Sequence, residues 1–441
     1  MSADTSVGTT SRRDFLTYSA AALAASGLAA GGVHAAGNDT IKIGLIGAGG
    51  RGTGAAADAL QADSNIKLTA MCDLFEDRLE VSRKSLLRTK SISPKVAVTP
   101  ETCFTGFDGY KKLLATDIDV VLLCTSPGFR PQHLQAAIEA GKHVFCEKPV
   151  AVDATGVRSV IETAKLAAKK KLSVCSGFCY RFDTAKQEIV KRVHDGAIGR
   201  PLAIHCTYNT GELWDRSKDH PKTWSAMSAM EHQQRNWMYY TWLSGDHIVE
   251  QAIHNVDKAR WMLKDEVPVS AIGMGGRQKR TDPKWGHVFD HFSIVYDFAS
   301  GAKVFLSCRQ MDYCAKETFD HVIGTEGAAV LNADGLAGMT EHSITGPKSW
   351  SWPEKHDFGA MYQNEHNALF AALRKGIILN NIESAASSTL MAIMGRQAAY
   401  TGKKLTWKQM MESKENLMPD KLEWGAVATA PVAIPGVTKF V

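Results

Sequence analysis

The chain has 441 residues, of which 44% are hydrophobic and 22% charged, the composition of an ordinary globular protein. That excludes a disordered chain, a coiled coil, a collagen-like repeat and a disulfide-dense miniprotein, and a chain of this length buries a large core without covalent staples. Lys and Arg number 51 against 46 Asp and Glu, a net charge of +5, too dilute to favour nucleic acid as a partner.

Near the start, Ser11-Arg12-Arg13-Asp14-Phe15-Leu16 precedes an Ala- and Gly-rich apolar stretch at residues 20–33. The stretch falls short of the roughly 20 apolar residues that a membrane span needs and has the order of an export signal. The arginine pair followed by Phe-Leu resembles the twin-arginine signal, which exports folded proteins. Residues 1–36 are therefore expected to be removed, leaving no stable membrane span and a periplasmic or otherwise extracytoplasmic protein. The nine cysteines are odd in number and form no Cys-x-x-Cys pair. Several lie in strand-like runs such as Val120-Val121-Leu122-Leu123-Cys124, so they read as buried thiols of a protein folded before export.

Residues 41–46 read as a buried parallel strand, followed at once by Gly47-Ala48-Gly49-Gly50-Arg51-Gly52 and an Ala-rich helical run. Strand, Gly-x-Gly-x-x-Gly turn and helix together are the fingerprint of a dinucleotide site, where the glycines admit the pyrophosphate to a helix N-terminus. The next strand, from residue 66, ends at Asp73, where a carboxylate accepts hydrogen bonds from the adenosine ribose and repels a 2′-phosphate. NAD is thus expected, with NADP not excluded because Arg51 stands nearby. Residues 119–124 form a further strand broken by Thr125-Ser126-Pro127, and His143-Val144-Phe145-Cys146 another, closed by Glu147-Lys148-Pro149.

These residues resemble the Gfo/Idh/MocA oxidoreductases, which include glucose–fructose oxidoreductase and inositol dehydrogenases. The resemblance rests on the glycine turn, Asp73, the run Gly141 to Pro149 ending in Glu-Lys-Pro, Gly177-Phe178-Cys179-Tyr180-Arg181-Phe182, Ile198-Gly199-Arg200-Pro201, Glu250-x-x-x-His254-x-x-Asp257 and Gly324-Thr325-Glu326-Gly327. It implies an α/β fold with an N-terminal Rossmann dinucleotide-binding domain (residues 37–165) and a C-terminal α+β domain (166–441) with a large, mostly antiparallel open sheet that serves substrate binding and oligomerisation. It implies NAD(P)-dependent oxidation of a secondary hydroxyl of a sugar, glycoside or polyol, or the reverse reduction. Lys148, His254 and Glu250 are the implied catalytic residues. Gly47, Gly49, Gly50, Arg51, Gly52, Asp73, Thr125, Ser126, His133, Glu147 and Lys148 are the implied cofactor contacts. Glu250 stands where the family more often has aspartate, and Phe129-Arg130-Pro131 are extra loop residues before His133.

Residues 246–262 read as one helix on which His247, Glu250 and His254 share a face, so that Glu250 hydrogen-bonds His254 and fixes its tautomer as general base. The order His-x-x-Glu-x-x-x-His is not a zinc signature and no outlying ligand is evident, so no metal is expected. Ahead of it, Trp214, Trp224, Trp237, Tyr239, Tyr240 and Trp242 alternate with polar residues, as in a carbohydrate site or a packed interface. Arg181, Trp242, Asp246 and His247 are the candidate substrate contacts. Residues 289–298 and 302–309 form a hairpin that 318–323 and 328–331 continue; residues 362–375 and 383–400 read as late helices, and the chain beyond about residue 425 as an extended tail.

Because free dinucleotide is scarce outside the cytoplasm, a tightly held cofactor is expected. An alternative activity with the same parts is an NAD-dependent glycosidase working by transient oxidation, elimination and re-reduction. A non-catalytic dinucleotide sensor is disfavoured by the intact Lys148 and His254.

Overall fold

The computed structural model describes residues 39–216, 226–332, 342–353 and 355–441; the expected export segment and Trp224 lie outside them. Six short strands, β1 (Ile41–Ile46), β2 (Ile66–Asp73), β3 (Cys103–Thr105), β4 (Val120–Leu123), β5 (His143–Cys146) and β6 (Val174–Ser176), form a parallel sheet in the order β3-β2-β1-β4-β5-β6. Val120, Val121, Leu122 and Leu123 are all fully buried, because a parallel sheet is covered on both faces and its strands are apolar throughout rather than alternating. The order reverses between β1 and β4, which opens a crevice at the carboxyl ends of those strands. The helix Gly50–Ala62 buries Gly52, Ala55, Ala56, Ala59 and Leu60, one stripe at helical spacing. β6 belongs to this sheet, so the sheet runs past residue 165, a position inside the helix Ala154–Lys169.

The second sheet contains β7 (Pro201–Thr210), β8 (Pro268–Gly276), β9 (His291–Phe298), β10 (Lys303–Gln310), β11 (Glu317–Gly324), β12 (Ala328–Asn332), β13 (His342–Thr345), β14 (Trp350–Ser351) and β15 (Leu405–Thr406), in the order β14-β13-β12-β11-β7-β10-β9-β8-β15. Every pairing is antiparallel except β7 with β10. Burial alternates along β10, with Val304, Leu306 and Cys308 inside and Phe305 40% exposed, as it must where one face is covered. The helices Ile253–Met262 and Ile382–Thr401 pack on the covered side. Ile272, Met274, Phe305 and Ile323 leave the other face apolar and open.

The expected single helix over residues 246–262 is two pieces, His247–Glu250 and Ile253–Met262. The cause is a diverted acceptor. In an unbroken helix the Glu250 carbonyl would take the His254 amide. Here it takes the Lys148 ammonium at 2.5 Å, and the His254 amide donates to the Gln251 carbonyl instead, at 3.2 Å.

Candidate active site

The crevice beyond the first sheet is a cleft of about 540 Å³. At one end it is lined by Asp73, Phe75, Arg78 and Phe107, along its floor by Gly47, Gly49 to Gly52, Thr125, Ser126 and His133, and at the far end by Glu147, Lys148, Gln251 and His254. The glycines have distinct reasons. Gly47 has φ +95, and a Cβ there would meet the Cys124 main chain at 2.5 Å; at Gly52 it would meet the Gly47 carbonyl oxygen at 1.8 Å. Gly49 and Gly50 face open space. The helix that starts at Gly50 has no side-chain cap, so its first amides are left to bind an anion. Asp73 sits at the end of β2 and accepts from the Ala48 amide at 2.7 Å and the Phe75 amide at 2.9 Å. Burial pushes its pKa up, and those two amides oppose the shift. Uncapped amides, an open glycine face and a carboxylate at the neighbouring strand end fit a dinucleotide laid from Asp73 to Lys148.

Arg51, expected as a cofactor contact, is engaged by protein carboxylates. It pairs closely with Glu147, at 2.6 Å with Glu365 and at 3.5 Å with Asp58, and its guanidinium lies 4.8 Å from the Tyr362 ring centre. Burial would depress its pKa, but Glu147 and Glu365 raise it instead. Glu365 is fully buried, and burial holds its pKa well above the usual carboxylate range despite Arg51. Arg51 thus ties the glycine-turn helix, the Glu147-Lys148 segment and the helix Ala360–Arg374 into one unit. Arg130, one of the extra loop residues, does similar work: it donates to the Thr125 carbonyl at 2.8 Å and to the Pro149 carbonyl. His133 lies 3.4 Å from the Thr125 hydroxyl, its pKa pushed down to about 3 by burial and by Arg130.

Lys148 and Glu250 form an ion pair of 3.0 Å, each side chain largely buried. Glu250 therefore holds Lys148 and not His254, which corrects the expected role: the break after Glu250 turns its carboxylate toward the ammonium. The His254 ring stands 4.6 Å from the Tyr180 ring and edge-on to Phe178, and its Nδ1 is buried without a hydrogen-bond partner. Burial, and then the positive charges of Lys148, Lys258, Arg51 and Lys186, hold its pKa well below the usual value. His254 is accordingly a neutral imidazole at the cleft wall, with Nε2 the nitrogen left to face a ligand.

The four candidate substrate contacts do not line the cleft. Arg181 is bound by Asp257 at 2.8 Å and by Asp265 at 2.6 Å. Asp246, fully buried at φ +75, accepts from the His247 amide and ring, the Phe289 amide and the Tyr400 hydroxyl. Burial raises its pKa, but these donors outweigh it and the net shift is down. Trp242 donates to Gln233 at 2.6 Å and packs edge-on to Phe129. These residues hold up the wall of the site from behind. Of the expected aromatic platform, Trp214 and Trp237 line the cleft, while Tyr239 and Tyr240 are core. Tyr208, Gln251, Tyr362 and Arg78 also line the cleft; Tyr208 and Tyr362 arrive from elements far along the chain, while Gln251 and Arg78 stand close after Glu250 and Asp73 in positions that carry no motif. Asp183, His342 and His356 come close enough to share a cation. Lys186, however, donates to the same Asp183 oxygen that His356 approaches, which opposes a second positive charge there.

A family model described as "Oxidoreductase family, NAD-binding Rossmann fold" (Gfo/Idh/MocA) matches residues 41–177, and one for the Gfo/Idh/MocA C-terminal domain matches residues 187–330. Inositol 2-dehydrogenase 3 of Saccharopolyspora erythraea is 29% identical over 72% of this chain and 80% of its own length. In solved structures the fold recurs in apo scyllo-inositol dehydrogenase from Lactobacillus casei, with a TM-score of 0.62, 20% identity and coverage of 84% of this chain and 98% of that one. It recurs also in aldose-aldose oxidoreductase from Caulobacter crescentus complexed with glycerol, with a TM-score of 0.63, 17% identity and coverage of 83% and 99%.

The Arg51 unit carries a prediction. Arg51→Met leaves Glu147 and Glu365 buried without their cation, so urea unfolding should show a loss of about 3–5 kcal/mol; an unchanged midpoint would contradict the pairing.

Proposed function

Since the chain belongs to the Gfo/Idh/MocA oxidoreductase family, we propose that Lys148 and His254 carry out its acid–base chemistry on a secondary hydroxyl of a sugar or polyol. The protein is an NAD(P)-dependent oxidoreductase. The observation that carries the assignment is the far end of the cleft, where a lysine held by Glu250 and an imidazole kept neutral by its surroundings line the same wall. A bound nicotinamide supplies the hydride acceptor, or the donor in the reverse direction. His254 Nε2 takes the hydroxyl proton, as a neutral imidazole can and an imidazolium cannot. The Lys148 ammonium orients the oxygen and stabilises the negative charge that develops on it. Glu250 sets the position of that ammonium through its carboxylate and main-chain oxygens. The sugar or polyol class follows the inositol dehydrogenases among the relatives.

NAD is the favoured cofactor. Asp73 repels a 2′-phosphate and offsets the charge of Arg78 beside it, and Arg51, the cation of the glycine turn, is committed to Glu147 and Glu365. We further assign residues 1–36 as a twin-arginine export signal, supported by Arg12-Arg13 before Phe15-Leu16. The open apolar face of the second sheet is assigned to a second copy of the chain, since an exposed patch of this kind marks an interface; a monomer by light scattering would remove that assignment.

Turnover of a sugar and polyol panel, followed at the nicotinamide absorbance, should fall about 10²–10⁴-fold in His254→Asn and comparably in Lys148→Met, with the parent's acid limb well below pH 6.5. Full activity in both variants would end the proposal. In Asp73→Ala, Arg78 is left facing the ribose, so NADP should gain on NAD by about tenfold or more, the size of one lost charge interaction; unchanged preference would displace Asp73 from that role. Replacing Arg12 and Arg13 by lysine should trap the precursor in the cytoplasm, and normal export of that variant would refute the signal.

A further inference from the structure

After the helix Trp407–Glu412, residues 413–441 run without helix or strand, yet they are fastened at many points. Glu415 accepts from Arg396 at 2.6 Å, and the Leu417 amide donates to Asp153 at 2.8 Å. Farther on, the Met230 amide donates to the Gly425 carbonyl at 3.0 Å, and the Gln233 amide group to Ala428 and Thr429. Leu417, Met418, Leu422 and Val427 pack on the buried cluster around Phe129 and Trp242. An extended segment does not stay in place by its own backbone, because each ordered residue costs about 1–2 kcal/mol of conformational entropy. These tethers, spaced on both sides of residue 424, are what order it.

Between the tethers stands Trp424. Its ring is 5.5 Å from Phe75 and 5.0 Å from Phe107, and it remains 48% exposed. Phe75 follows Asp73 at the end of β2, and Phe107 follows β3; both line the adenosine end of the cleft, whereas Trp424 does not reach the lining. Phe75 also carries the Arg235 guanidinium 3.8 Å from its centre, and Arg235 is held by Asp77 and Glu231 at 3.1 Å. The two phenylalanines that border the base-binding end are therefore braced from outside, Phe75 by Arg235 and Trp424, and Phe107 by Trp424. A second contact chain runs inward from Phe107 to Phe129 and on to His133 beside Thr125.

We propose that the C-terminal segment is a strap, with Trp424 as its buckle, that holds Phe75 and Phe107 closed on the adenosine of the dinucleotide and makes the cofactor resident rather than exchanging. The proposal rests on the dinucleotide reading of the cleft and adds the element that governs retention. Escape of the adenosine requires the loops after β2 and β3 to part. They cannot part while Trp424 spans both rings, and Trp424 cannot lift without breaking tethers on one side of it. Trp424 is a positioning residue that acts through Phe75 and Phe107.

The test loads full-length protein with NADH and chases it with excess NAD, following loss of bound NADH fluorescence. Trp424→Ala should release NADH at least tenfold faster than the parent, and Trp424→Phe, which keeps a ring on the two phenylalanines, should restore most of the slow release. An Ala variant within twofold of the parent overturns the strap, as does a Phe variant no slower than Ala, since a general loosening of the tail would not be cured by a ring. A second variant, Leu417→Pro, removes the amide that anchors the strap to Asp153 and leaves Trp424 intact; it too should speed release, and parent-like release would overturn the tethering. If the parent itself binds no NADH, the dinucleotide reading fails and the strap with it.

Discussion

The Lys148 ammonium is the point at which the two halves of the site are joined. It rises from the segment that follows β5 and reaches the carboxylate and main-chain oxygen of Glu250, at the end of the short helix His247–Glu250. By taking that carbonyl it prevents one helical turn from closing, and the chain restarts as a new helix at Ile253. The position of His254 depends on where that second helix starts. One charge-assisted contact thus decides both where the ammonium lies and where the imidazole is carried, and the site cannot assemble with either half displaced.

The remaining charges are arranged around that contact. Arg51 fastens Glu147, the neighbour of Lys148, to the buried Glu365 of a helix far along the chain. Lys258 pairs with Asp320 on β11, and Lys186 with Asp183. Each cation has its own carboxylate, yet all of them face His254 closely enough to disfavour a fifth positive charge. Burial and these like charges act in the same direction on an imidazole, so its neutrality comes from the whole surround and needs no dedicated partner. Cys124 and Cys179 line the same cleft, and burial holds both thiols well above their usual pKa, which leaves them unreactive space-fillers.

Most of the first sheet was legible in the sequence because its signals are local: apolar runs, a glycine turn with one steric solution, and an acidic residue at the next strand end. The alternation in residues 289–309 likewise identified the open antiparallel hairpin. What escaped was set by contacts distant in sequence. The break after Glu250 has no breaker residue at it; the cause is Lys148, about a hundred residues earlier. Arg181 looked available for substrate, but Asp257 and Asp265 approach it only in the folded chain. Asp246, at φ +75, precedes the helix that starts at His247, and its carboxylate is taken up by the His247 ring and the Tyr400 hydroxyl, contacts that exist only in the folded chain. Glu365 carried no motif, since an isolated glutamate in a helix is ordinarily solvated.

The most direct measurement of the central claim is the protonation of His254 itself, followed by ¹⁵N-resolved NMR of imidazole-labelled protein across pH 5.5 to 8, with His254→Asn to assign the signal. The account predicts a neutral ring over that whole range, because burial and then the surrounding cations hold its pKa well below the ordinary histidine value of about 6.5. A His254 in the intact protein that titrates near its ordinary pKa would contradict it.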